Sequence, residues 1–106
     1  MAFEVVWHPS AQIDLEEVTD YIYQNYGWSA AKEFFDEVID RVDDLSVFPE
    51  LGYEYEGMTY KGKAVRALCV RQDTIVYVVE EKQITVVVFW DNRQNPARLE
   101  RLISSR

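Results

Sequence analysis

The sequence predicts an α+β fold: an N-terminal strand, an antiparallel two-helix hairpin, a three-stranded antiparallel meander and a short C-terminal helical segment. Three observations carry it. Apolar residues recur at helical spacing in two consecutive segments between Ser10 and Phe48. Three later runs, Lys63 to Arg71, Thr74 to Glu80 and Gln83 to Trp90, are rich in Val, Ile and Tyr and separated only by short polar links. Proline falls where elements must stop, after His8 and after Phe48.

Phe3 to Trp7 reads as the first strand, closed by His8-Pro9. Ser10 is placed to cap the helix that follows, in which Ala11, Leu15, Val18 and Ile22 share one stripe. Gly27 suits a helix end and Ser29 the cap of a second helix. There Ala31, Phe34, Phe35, Val38, Ile39, Val42, Leu45 and Phe48 form a wide apolar face, with Glu33, Asp36, Glu37, Asp40, Asp43 and Asp44 opposite. The link is tight, so the helices run antiparallel with their acidic side outward. "GYEYEGMTYKGK", Gly52 to Lys63, has no clean period and reads as a loop with a short strand entry. The turns at Gln72-Asp73 and Glu81-Lys82 are too short for anything but antiparallel hairpins. Pro96 opens the last helical segment, to Ile103. With the hairpin on one sheet face, the other face and the ends of the sheet are left for function.

The 106 residues suit one domain, 1–106, with one core. The composition, 48% hydrophobic and 14% aromatic, is that of a folded chain. Cys69 is the only cysteine, which rules out an intramolecular disulfide and a cysteine-rich zinc site and suggests a reducing compartment, the cytoplasm. The start "MAFEVVWHPS" lacks a basic segment followed by an apolar one, and Val86 to Trp90 is too short to cross a bilayer, so neither secretion nor a membrane span is expected.

The net charge of −8 hides a division. Residues 1–56 hold 14 acidic and two basic side chains, a net of −12, while residues 57–106 hold nine basic and five acidic, a net of +4. Such asymmetry suggests two faces with different partners. Lys61, Lys63, Arg66, Arg71 and Arg93 gather around the sheet, with Tyr60, Tyr77 and Trp90 near them. Cations that hold phosphate and rings that stack bases together make a candidate RNA surface, with Arg71, Tyr60 and Trp90 as its binding residues. The alternative is a sheet edge protected by charge, with the rings packed in the core. A bulge or the sheet edge would let Arg66 reach a cleft.

His8, the only histidine, sits at a strand-to-helix corner, where a surface or capping role is expected rather than acid-base work. Asp43-Asp44 and Glu16-Glu17 read as solvated helix faces, because adjacent helical residues diverge. No phosphate-cradling glycine loop is present, and no metal or cofactor is expected.

"AQIDLEEVTDYI", "AAKEFFDEVIDRVDDLSVFPELG" and "VRALCVRQDTIVYVVEEKQITVVVFWDNRQNP" together resemble the RelE/ParE superfamily of bacterial type II toxins, also described as plasmid stabilisation proteins. The resemblance covers nearly the whole chain and rests on order and spacing: "FPELG" ending a helix, Arg66 opening a strand, "IVYVV", and Arg93 past the last strand. It implies a RelE-like fold and a cognate antitoxin whose flexible, acidic segment covers the basic sheet side. In the RelE branch the toxin cuts messenger RNA on the ribosome, and the matching residues here are Lys61, Lys63, Arg66 and Arg93 as the catalytic set. In the ParE branch the toxin poisons DNA gyrase by protein contact. The presence of all four cations puts the endoribonuclease first. Two departures favour the gyrase branch: Leu99 stands near the position of a RelE-type tyrosine, and "FWDNRQ" lacks the histidine of YoeB-type relatives. A third possibility is a weakly toxic member that mainly binds its antitoxin and co-represses the shared operon.

Overall fold

The computed structural model describes residues 2–106. In chain order the elements are β1 (Glu4–Trp7), α1 (Pro9–Tyr26), α2 (Trp28–Val47), β2 (Tyr53–Tyr60), β3 (Lys63–Val70), β4 (Asp73–Val79), β5 (Gln83–Asp91) and α3 (Pro96–Ser105). The strands form one sheet in the order β1-β5-β4-β3-β2, parallel between β1 and β5 and antiparallel elsewhere. No helix among the described residues is long and apolar enough to cross a membrane.

The cap of α1 falls two residues before Ser10. Pro9 occupies the first turn, where its fixed φ suits a helix and its missing N–H costs nothing, so His8 becomes the cap. Its Nδ1 accepts the Ser10 N–H at 3.1 Å, and its carbonyl accepts from Ala11 and Gln12. The capping role expected for the histidine is thus the one it has. Gly27 alone joins α1 to α2; its φ of +92° lies in the range that glycine tolerates, and Ser29 lies inside α2 with no capping role.

The stripe of α1 packs as its spacing requires, with Ala11 and Leu15 buried and Val18 and Ile22 half-buried. In α2 the buried stripe is narrower than the sequence suggests: Ala31, Phe34, Val38, Val42 and Leu45. Phe35 and Phe48 are exposed. The hairpin covers one sheet face, on which Leu68, Val70, Ile75, Tyr77, Ile84, Val86 and Phe89 complete the core.

The segment read as a loop is the edge strand β2. Its alternation is interrupted by a register shift between Glu54 and Thr59, within which Gly57 has φ +78°, so a period-2 pattern does not run through it. Lys61 and Gly62, both at positive φ, make the two-residue hairpin turn into β3. The sheet therefore has five strands where the sequence suggests a separate strand and a meander of three.

The second sheet face is not free. α3 lies on it, burying Leu99 and Ile103 against Val65, Val76, Val88 and Trp90. A strong apolar stripe at spacing of four, presented by a helix ten residues long, explains why it docks rather than remaining a solvated tail.

Candidate functional site

With both faces covered, the accessible chemistry lies at the ends of the sheet. The two-residue link Arg71-Gln72 between β3 and β4 sits beside the turn that follows β5, and the Asn92 N–H donates to the Gln72 carbonyl at 2.9 Å. Together with the end of α1 and the start of α2 these turns enclose a cleft of about 410 Å³. Val18, Ile22 and Phe34 line its apolar side, Tyr21 and Tyr26 its rim. Arg71, Arg93, Glu33 and Asp73 supply its charges.

Each arginine of the cleft already has partners. Arg93 turns back on its own strand end: Nε and Nη2 donate to the two Asp91 carboxylate oxygens at 3.0 and 2.8 Å, and its backbone N–H donates to Asp91 at 2.9 Å. These contacts hold the Asp91 carboxyl below its ordinary pKa. Arg71 donates to Glu37 at 2.8 Å, lies 3.8 Å from Glu33, and rests over the Phe34 ring at 5.9 Å.

Asp73 is different. It opens β4 on the side facing the hairpin, directly opposite Asp91 in the β4–β5 register, and is only 6% exposed. Among the described residues no side chain donates a hydrogen bond to it and none forms an ion pair with it. Burial first, and then the adjacent Asp91 carboxylate, push its pKa up from 3.8 to about 6, against the smaller opposing pull of Arg93 and Arg71. Sequence reading places Asp73 in a turn. Its pairing with Asp91 across two strands is a tertiary fact, and two aspartates 18 positions apart carry no local signal of it.

The other expected site residues do not join this cleft. Lys61 in the hairpin turn and Lys63 just after it stand at the opposite end of β3, roughly 25 Å from Arg71 by the rise of a strand. Arg66 stands between the two ends, half-buried on an interior strand, with no bulge in the β3–β4 register; it reaches toward the start of β2, and Nη1 donates to the Gly52 carbonyl at 2.7 Å. Tyr60 is 8% exposed and carries Lys61 over its ring at 5.4 Å; Trp90 is 4% exposed beneath α3. Both rings are packed against the second core, and Tyr77 is fully buried in the first, so none of the three offers a free face to a base. No group of three metal-ligating side chains occurs among the described residues.

A family model described as ParE toxin of the type II toxin-antitoxin system parDE matches residues 5–96. The chain belongs to the ParE toxin family. Its fold is similar to that of a chain in a solved structure titled the chromosomal ParDE toxin-antitoxin system from P. aeruginosa, with a TM-score of 0.69 over 85% of this chain and 96% of that one, at 18% identity. None of the curated proteins matches the sequence. The ParE-family segment contains the cleft, both of its arginines and Asp73; α3 after Pro96 lies beyond it.

Proposed function

We propose that this chain is a toxin that arrests growth by binding DNA gyrase, without cutting RNA, and that a cognate antitoxin holds it inactive in the cytoplasm. The single observation that supports the reading is the scatter of the cations. An RNase of the RelE type needs several cations on one phosphate, because the charge that develops in transfer is stabilised only by donors already in place around it. Here Lys61 and Lys63 stand at one end of the sheet, Arg71 and Arg93 at the other, and Arg66 is spent on a backbone carbonyl. The only histidine caps a helix, and the one carboxyl with a raised pKa among the described residues, Asp73, stands with Arg71 and Arg93, at the far end of the sheet from Lys61 and Lys63. A protein contact makes no such demand and uses exposed apolar surface, which the outer side of the hairpin supplies at Tyr23, Trp28 and Phe35.

The test is inducible expression of the chain in a bacterium with pulse labelling of DNA and protein synthesis, beside an Arg93→Ala version, and a supercoiling assay of gyrase with the purified chain. DNA synthesis failing first, an SOS response, retained toxicity of Arg93→Ala and inhibited supercoiling are expected. Early collapse of protein synthesis that Arg93→Ala relieves would instead establish the endoribonuclease.

A further inference from the structure

Asp73 is a buried carboxylate whose neighbours are already engaged. Glu33 and Asp73 line the cleft against Arg71 and Arg93, and Glu37 and Asp91, which hold those arginines from outside it, bring the neighbourhood to a net of two negative charges with all carboxylates ionised. Asp91 has Arg93, and Glu33 and Glu37 share Arg71; Asp73 has no ion pair among the described residues and feels both arginines only from a distance. No fully buried side-chain oxygen among the described residues lacks a partner, so the Asp73 carboxylate still touches the water of the cleft; a largely buried carboxylate held this way, without an ion pair, marks a place that a cation fits. Beside these polar groups the cleft has an apolar wall of Ile22 and Phe34 and the rings of Tyr21 and Tyr26, the latter two well exposed.

We propose that this cleft receives an arginine side chain of a partner polypeptide, its guanidinium on Asp73 and its aliphatic stem between Tyr21 and Tyr26. Charge favours a cation, since both arginines already hold carboxylates and Asp73 is the buried carboxylate left without an ion pair among the described residues. Shape selects arginine over lysine: a planar, weakly hydrated guanidinium stacks on tyrosine rings and pairs with a carboxylate through two parallel bonds, while the three methylenes cover apolar wall. The volume accommodates one such side chain with an apolar neighbour. The inference is independent of the cellular target, because it follows from the cleft's own charges and walls.

The probe is a capped tripeptide, acetyl-Leu-Arg-Leu-amide, titrated into the isotopically labelled full chain and followed by NMR at the Asp73 carboxyl and the Tyr21 and Tyr26 rings. Its controls are the same peptide with neutral citrulline and with glutamate at the centre. The arginine peptide is expected to give saturable shifts at all three residues, to bind at least tenfold tighter than the citrulline peptide, and to lower the Asp73 titration midpoint. Asp73→Asn should bring the two peptides to equal affinity. Tyr26→Ala, at an exposed position that leaves folding intact, should weaken both alike. Tighter binding of the glutamate peptide would make Arg71 and Arg93 an anion site and overturn the proposal. Equal binding of the arginine and citrulline peptides by the unaltered chain, or no saturable shift, would overturn it as well.

Discussion

Arg106 and Asp14, 92 positions apart in sequence, form a two-pronged ion pair, with Nη1 at 2.6 Å and Nη2 at 3.0 Å from the two carboxylate oxygens. The pair also completes the sheet. β1 accompanies β5 only as far as Val86, and a bulge follows at Val87. Beyond that point the outer edge of β5 has no strand beside it. Asp14 accepts the Phe89 N–H at 3.2 Å and Arg106 donates to the Val87 carbonyl at 2.9 Å, so two side chains from α1 and from the end of α3 stand where a strand would. One contact thereby joins the helices on opposite faces of the sheet around its edge.

Because both side chains are largely buried, 11% exposed for Arg106 and 19% for Asp14, removing one leaves the other charged and poorly solvated. Asp14→Ala should cost roughly 3 kcal/mol, the low end for a broken buried pair, since it also strands the Phe89 N–H. For a chain of this size that is a fall of roughly 10–20 °C in Tm. Arg106→Ala should cost less, because Asp14 keeps its bond to Phe89. Urea unfolding of the two variants ranks them; equal stability to the parent would show the pair to be a surface ornament.

Tyr77 carries a second prediction. Its hydroxyl donates to the Pro49 carbonyl at 2.7 Å and accepts the Gly52 N–H at 2.9 Å, fixing the link between α2 and β2 from inside the core. Tyr77→Phe leaves that N–H unpaired and should lose about 1–3 kcal/mol. Gly52→Ala should be worse, because its Cβ would lie 2.6 Å from the Ala67 carbonyl oxygen and 2.8 Å from the Tyr77 hydroxyl, and the backbone partner cannot move aside. A Gly52→Ala chain as stable as the parent by thermal unfolding would show that the link has slack.

Local patterns made much of this legible. The stripe from Ala11 to Ile22, the proline at each helix start or stop and the short polar turns are one-dimensional signals with fixed geometric meaning, and the elements they predict are present. What was hidden depends on pairing. β2 looks like a loop because Gly57 and a register shift break its alternation, and α3 looks like a tail because its partners, Val65 and Trp90, come from distant strands. The cations look like one cluster because five of them fall within 33 positions, yet a strand carries Lys63 and Arg71 to opposite ends of the sheet. Trp90 and Tyr60 could be read either way from sequence; packing against α3 and its neighbours is what the fold does with them.

The cations also differ in what they do for stability. Arg93→Ala removes an ion pair whose arginine is exposed but whose Asp91 is largely buried opposite Asp73, and should lower the melting temperature modestly near pH 7, an effect that fades as the two carboxyls are protonated. Arg66→Ala takes a charged donor from the Gly52 carbonyl at a half-buried position and should cost about 1–2 kcal/mol. Any loss of toxicity in Arg66→Ala is therefore to be compared with its folded fraction by circular dichroism. A defect larger than unfolding accounts for would return Arg66 to the functional surface.

Asp73 gives the chain a pH dependence of definite sign. Its pKa is raised in the folded state to about 6, from 3.8, so between these values the folded chain binds a proton that the unfolded chain has lost. This contribution to stability is fully present below about pH 3.8 and disappears as pH rises through about 6. Asp73→Asn, neutral at every pH, should then be more stable than the parent near pH 7, by about 1–3 kcal/mol, and should lose the difference toward pH 4. Arg93→Ala supplies the internal control. Without the guanidinium, Asp73 and Asp91 face one another across the strands with no cation between them, and their titration should move upward and split into two steps belonging to the pair. Urea unfolding of the parent and Asp73→Asn from pH 4 to 8, together with carboxyl NMR titration of Arg93→Ala, checks both statements. A stability difference that grows as pH falls would mean that Asp73 is paired in solution and titrates below its unfolded value, and a difference independent of pH that it titrates as an ordinary carboxylate.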